Sequence, residues 1–182
     1  MSQLDQLPAH ELSAGFATGA LSPVEVTEAV LKRIDACEPH LNAMYRIHHE
    51  AALAQAHQSL GRWRDGAPLS ALDGVPVTLK ENLYTSGDPA PIGTSGGDRT
   101  PKAHDSPVPT RLREAGAVLI GKTTMPDLGM LSSGRSSFHG TTRNPWRLDL
   151  NPAGSSSGAG AAAAAGYGPL HVGTDIGGSV RL

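Results

Sequence analysis

The chain has one cysteine, Cys37, and few aromatic rings: two tryptophans, three tyrosines and two phenylalanines, 4% of its 182 residues. A single thiol excludes an internal disulfide and fits a reducing compartment. With so few rings, the core must be built mainly from Ala, Val, Leu and Ile. An excess of charge is also missing, because 15 Lys+Arg against 17 Asp+Glu leave a formal charge of -2. Without a basic cluster the chain lacks the footprint that holds nucleic-acid phosphates. Long apolar runs are absent too. The most apolar stretch, Ala159 to Ala165, is short and alanine-rich, well below the roughly 20 residues of a membrane span. The polar first residues, Met1 to His10, do not read as a secretory signal. These absences predict a cytoplasmic protein with neither a membrane nor a nucleic acid as direct partner.

Glycine and proline are plentiful instead, at 22 and 14 residues. Together they exceed the ordinary combined usage of roughly 12% without reaching the range of disordered chains. The length suits one domain with a sizeable core, and neither an internal repeat nor a composition break divides it.

Local patterns predict alternating helices and strands. Ser22-Pro23-Val24-Glu25 places an N-cap serine, a first-turn proline and a capping-box glutamate in order. Val26, Val30, Ile34 and Cys37 then follow at helical spacing to about Glu38, with Cys37 read as a small core residue. Residues 42–47 suit a short strand and 50–60 a helix. From Leu72 to Asn82 the period changes: Val75, Val77 and Leu79 alternate with Pro76, Thr78 and Lys80, as in a strand with two different faces. Residues 85–102 are rich in turn formers, Ser106-Pro107 opens a helix to Gly116, and Ala117 to Ile120 is a buried strand. Residues 125–152 read mostly as turns and short pieces. A helix over 159–165, stopped by Gly166, precedes a strand from Leu170 to Thr174. This rhythm is that of an α/β sheet.

Two attractive motifs fail on mechanism. Gly116 to Thr123 matches the phosphate-loop expression letter by letter. Its variable positions are Ala-Val-Leu-Ile, however, which favour a strand over a phosphate-wrapping loop. His48, His49 and His57 lack metal-ligand spacing and read as surface or helix-edge residues.

Three places remain for chemistry: Lys80 at a strand end, Gly154-Ser155-Ser156-Ser157-Gly158, and Gly177-Gly178-Ser179. Singly, each suits a bland role. Together they can supply a nucleophile, a proton acceptor and oxyanion donors for amide cleavage. Glycines before a serine let a substrate approach backbone N–H groups. Lysine acts as a base only when neutral. Moving its pKa from about 10.4 to about 7 requires a bias of roughly 4.6 kcal/mol against the charge, which burial can provide.

On these residues the sequence resembles the amidase signature family, serine hydrolases with a Ser–cis-Ser–Lys triad. Leu72-Asp73-Gly74-Val75-Pro76 through Lys80-Glu81-Asn82 is similar to its lysine segment. Gly121-Lys122-Thr123 and Thr142-Arg143-Asn144-Pro145-Trp146 are similar to its landmarks, and Gly154-Ser155-Ser156 with Gly173 to Ser179 to its signature. The resemblance implies an α/β fold with a mixed β-sheet flanked by helices. It makes Ser179 the nucleophile, Lys80 the base and Ser155 the relay, with a cis bond at Gly154–Ser155. The N–H groups of Ile176, Gly177, Gly178 and Ser179 would form the oxyanion hole. It implies no metal and no cofactor. Ala153, Ser157 and Ala159 depart from the commonest loop version but leave the triad intact.

The implied activity is hydrolysis of a small-molecule carboxylic amide through an acyl-enzyme. One alternative is a glutaminase like the A subunit of glutamyl-tRNA amidotransferase; another is a non-catalytic binding or assembly fragment. Residues 1–182 are expected to be the N-terminal portion of a single amidase domain, incomplete because the chain stops after the nucleophile. Little activity alone is expected, and a complementing C-terminal half or a homo-oligomer would be its partner.

Overall fold

The computed structural model describes residues 4–182. Along the chain come α1 (Ala9–Thr18), α2 (Pro23–Leu41), β1 (Met44–Ile47), α3 (His49–Arg64), β2 (Pro76–Lys80), α4 (Pro107–Glu114) and β3 (Val118–Thr123). A small hairpin follows, β4 (Arg135–Ser136) and β5 (Gly140–Thr141), then α5 (Ser157–Ala165) and β6 (Leu170–Val172). The main sheet has the order β1-β3-β2-β6. Strand β1 is antiparallel to β3, whereas β3, β2 and β6 run parallel. The architecture is therefore the expected one, a mixed sheet flanked by helices.

The sheet is packed on both faces. Val30, Ile34, Val118, Ile120, Ala161 and Ala162 form a cluster with α2 and α5. On the opposite face Val77, Leu79, Ala117 and Leu119 pack with Leu112 of α4. Every residue of β2 is consequently buried. Its two faces differ in chemistry rather than in exposure: one is apolar, and the other carries Thr78 and Lys80.

Between Val77 and Thr78 the register with β3 slips by one residue, so that Val77 pairs with Leu119 but Thr78 with Gly121. Such a bulge reverses the facing of the residues beyond it. Gly121 fits there because a Cβ would lie 2.1 Å from the Arg46 carbonyl oxygen.

Ser22 caps α2 as expected, accepting from the Val24 N–H at 3.2 Å, although its own N–H makes no reciprocal capping-box bond to the Glu25 carboxylate. The helix runs past Glu38 through Pro39 and ends at left-handed Asn42, whose N–H donates to the Glu38 carbonyl. Proline removes one amide donor here, in the last turn, where the loss is confined to a single bond. The stretch matching the phosphate-loop expression is occupied largely by β3, as its apolar residues dictate. Cys37 is half-buried against the main core. His48 and His49 each bond a carboxylate, Asp88 and Asp35 respectively, and His57 is exposed on α3.

Candidate active site

Parallel pairing of β2 with β6 brings the end of Lys80's strand beside the loop that follows β6. The start of α5 packs over both. Lys80 is 1% exposed, and its Nζ donates to Ser155 Oγ at 2.9 Å, Ser156 Oγ at 3.0 Å and Thr174 Oγ1 at 2.9 Å. Ser155 Oγ is in turn bonded to Ser179 Oγ at 2.8 Å. The peptide bond Gly154–Ser155 is cis. An unbroken hydrogen-bonded path thus joins the buried amine to the hydroxyl of Ser179.

Burial drives the Lys80 pKa down to about 8, with the Asp175 carboxylate pulling partly in the other direction. Hydrogen bonds cannot replace bulk water around an ammonium completely, so the neutral amine gains. Asp175 is held well below the usual carboxylate range, first by Arg181 and then by the Gly178 N–H. It accepts from Arg181 Nε and a terminal guanidinium nitrogen, each at 2.9 Å, and from Gly178 N–H at 2.7 Å. This carboxylate ties the loop around Ser179 into a closed turn. The Ser156 N–H adds a second tie, donating to the Ser179 carbonyl at 3.1 Å.

The three triad candidates of the sequence lie at one cleft of about 480 Å³, which Ile176 and Gly177 also line. Gly178 does not line it, and its N–H is already used by Asp175. The N–H groups of Ile176, Gly177 and Ser179 have no partner among the described residues. One wall of the cleft is apolar, carrying Ile92, Met125, Leu128, Met130 and Leu131. Among the described residues no group of three or more His, Cys, Asp or Glu side chains is gathered to hold a metal ion. No helix there is long and apolar enough to cross a membrane.

Sequence reasoning gave no role to Ser156 or Thr174, which complete the lysine's coordination. No local signal marks Thr174, because its contact with Lys80 exists only once β6 lies beside β2. Ser156 stands at the N-cap of α5 and makes no capping bond. Its hydroxyl instead donates to the Thr174 carbonyl at 3.1 Å and accepts from Lys80 and the Thr174 N–H.

A depressed lysine, a bridging hydroxyl and a second hydroxyl at an open cleft are the equipment of a serine-based acyl-transfer site. The chain belongs to the amidase family, whose profile, described as Amidase, matches residues 25–182. It is 41% identical over 181 residues to the glutamyl-tRNA(Gln) amidotransferase A subunit of Streptomyces coelicolor, covering 100% of this chain and 36% of that protein. It superposes on fatty acid amide hydrolase with a TM-score of 0.94 at 30% identity, covering 100% of this chain and 32% of the other. Against native peptide amidase from Stenotrophomonas maltophilia the TM-score is 0.83 at 32% identity, over 90% and 35% of the two chains. The chain thus spans just over a third of the length of the curated relatives it matches.

Proposed function

We propose that this chain carries the catalytic triad of an amidase that converts a small-molecule carboxylic amide to an acid and ammonia or an amine. The reading rests chiefly on the continuous path from Lys80 through Ser155 to Ser179. Neutral Lys80 takes the Ser155 hydroxyl hydrogen while Ser155 takes that of Ser179. The Ser179 oxygen then attacks the amide carbon. The developing oxyanion accepts from the N–H groups of Ile176, Gly177 and Ser179, which are free of other partners among the described residues. Return of the proton through Ser155 protonates the leaving nitrogen, the C–N bond breaks, and an acyl-Ser179 ester remains. Water, deprotonated along the same path, attacks the ester and releases the acid. Gly178, given a donor role by the resemblance, acts in this scheme by holding Asp175.

The names of the amidotransferase A subunits support a second reading, in which the amide is glutamine and its ammonia passes to a partner. In either case a complementing segment would supply further walls of the acyl site, consistent with the greater length of the relatives. The enzyme is read as cytoplasmic, where a lone thiol such as Cys37 stays reduced.

The test uses the full-length protein with a fluorophosphonate probe and an ammonia assay over a panel of primary amides. Labelling at Ser179 with amide turnover, both lost in Ser179→Ala, is the expected result. Turnover unaffected by that substitution would refute the reading. Glutamine-dependent amidation of charged tRNA, without hydrolysis of other amides, would favour the second one.

A further inference from the structure

Glu81, next in sequence to Lys80, is fully buried and lies outside the proton path. Its carboxylate bonds His139 Nε2, and both its oxygens lie 3.1 Å from the Gly93 nitrogen, whose N–H donates to them. A carboxylate only accepts, so the histidine hydrogen sits on Nε2. His139 is itself fixed: its side chain is 5% exposed, and its ring clusters with those of Tyr45 and Phe138, with centroids 4.9 Å from each and 5.7 Å between the other two. Ser136 completes the clamp, accepting from the N–H groups of Phe138 and His139 and donating to the Gly93 carbonyl. Gly93 is thus gripped on both its amide and its carbonyl. A Cβ there would lie 2.4 Å from the Pro126 carbonyl oxygen, so the loop sits directly on the chain leaving β3.

This grip bears on the cleft. Ile92, immediately before Gly93, accepts the Leu128 N–H at 2.8 Å. Both residues line the cleft, and both have left-handed backbones, with φ of 54° and 53°. For bulky side chains such a conformation is unfavourable and persists only where the surroundings impose it. The buried pair and Ser136 are those surroundings on the Ile92 side.

We propose that Glu81 and His139 are positioning residues that, through Gly93, hold Ile92 and Leu128 as the apolar wall beside Ser179 and so set the preference for a long apolar acyl group over a short one. The inference rests on the cleft being the acyl site of the proposed amidase. Neither residue touches the reacting atoms. Both act on what binds rather than on proton transfer.

The experiment compares wild type, His139→Ala and His139→Gln in the full-length protein, using ethyl- and dodecyl-tailed fluorophosphonates and amide hydrogen exchange. In His139→Ala the Gly93 and Leu128 amides are expected to exchange about tenfold faster, while the β2 amides keep their protection. The ratio of dodecyl to ethyl labelling rates should fall about tenfold, the scale on which apolar acyl contacts discriminate. His139→Gln, which keeps an N–H within reach of Glu81, should recover most of that ratio. Unchanged exchange at Gly93 and Leu128, or equal slowing of both probes, would overturn the proposal. If neither probe labels wild-type Ser179, the catalytic reading fails by itself, and exchange at the two amides still decides whether the pair holds the wall. Should His139→Ala not fold, Glu81→Gln carries the same comparison.

Discussion

Lys80 Nζ lies almost as close to Ser156 Oγ, at 3.0 Å, as to Ser155 Oγ, at 2.9 Å. The two serines are not equivalent. Ser156 spends its only hydrogen on the Thr174 carbonyl and receives the Thr174 N–H as well, so its hydroxyl has no route to Ser179. Only Ser155 bridges the amine and the outer hydroxyl.

Removing each hydroxyl should therefore have different effects. Ser155→Ala breaks the relay and is expected to lower kcat by about 10²–10⁴-fold, the range of a lost proton-transfer step. Ser156→Ala loosens the lysine but leaves the path intact, and should cost no more than about tenfold. Equal losses in steady-state kinetics would contradict the assignment.

The rate should follow the neutral fraction of Lys80. With a pKa of about 8, activity rises with pH through that value and then levels. Lys80→Arg should be inactive throughout, because a guanidinium stays protonated. Thr174→Val removes one acceptor of the ammonium, so the kinetic midpoint should move below its wild-type position. An upward move, read from the pH profile of kcat/KM, would contradict this. The same shift affects stability. Between about 8 and the ordinary lysine value the unfolded chain holds a proton that the folded one has released. Lys80 therefore contributes a gain in stability with rising pH, of up to about 1.4 kcal/mol per pH unit. Lys80→Met should flatten the curve there, as measured by denaturant unfolding.

Gly158, in the first turn of α5, has its backbone pressed against Ala43, just before β1, and Thr124, just after β3. A Cβ would lie 2.3 Å from the Ala43 carbonyl oxygen and 2.4 Å from the Thr124 nitrogen. Alanine is the better helix former by about 1 kcal/mol, yet Gly158→Ala should destabilise by about 1–3 kcal/mol through overpacking. It should also lower activity by displacing Ser155 and Ser156. A raised Tm would show that helix propensity wins.

Asp73 is fully buried and paired with Arg62 at 2.7 and 2.6 Å. Burial raises its pKa, but hydrogen bonds from Arg62 and then the Leu69 N–H outweigh that and hold it below the ordinary value. Its contribution is complete above the unfolded-state pKa and is lost as pH falls through the lower folded one. Arg62→Ala leaves a buried carboxylate without its cation and should cost about 3–5 kcal/mol near neutral pH. Its unfolding curve should also lose less stability on acidification than wild type. A cost below 1 kcal/mol near neutrality would place the pair among weak surface ion pairs.

Much of this was legible in the sequence because the decisive residues carry local signals. Ser22-Pro23 announced α2, the Val/Leu alternation announced β2, and glycine-flanked serines announced both hydroxyls of the path. Helix α1 escaped because Pro8 precedes it with no capping side chain and it buries only Leu12 and Phe16. The burial of β2 on both faces escaped because it depends on α4 and α5, which are distant in sequence. Thr174 and the Glu81–His139 pair escaped for a related reason. Their partners are 94 and 58 residues away, and only the folded sheet and hairpin bring them together.

The slipped register beside Gly121 has an electrostatic consequence. Unbroken pairing from Val77 with Leu119 would set Lys80 directly against Lys122, two interior amines crowded on one side of the sheet. The extra residue pairs Lys80 with Thr123 and Leu79 with Lys122, sending Lys122 to the Leu83 carbonyl on the far side. Each lysine can then change protonation state without the other as an immediate neighbour, and deleting Ile120 would couple the two titrations.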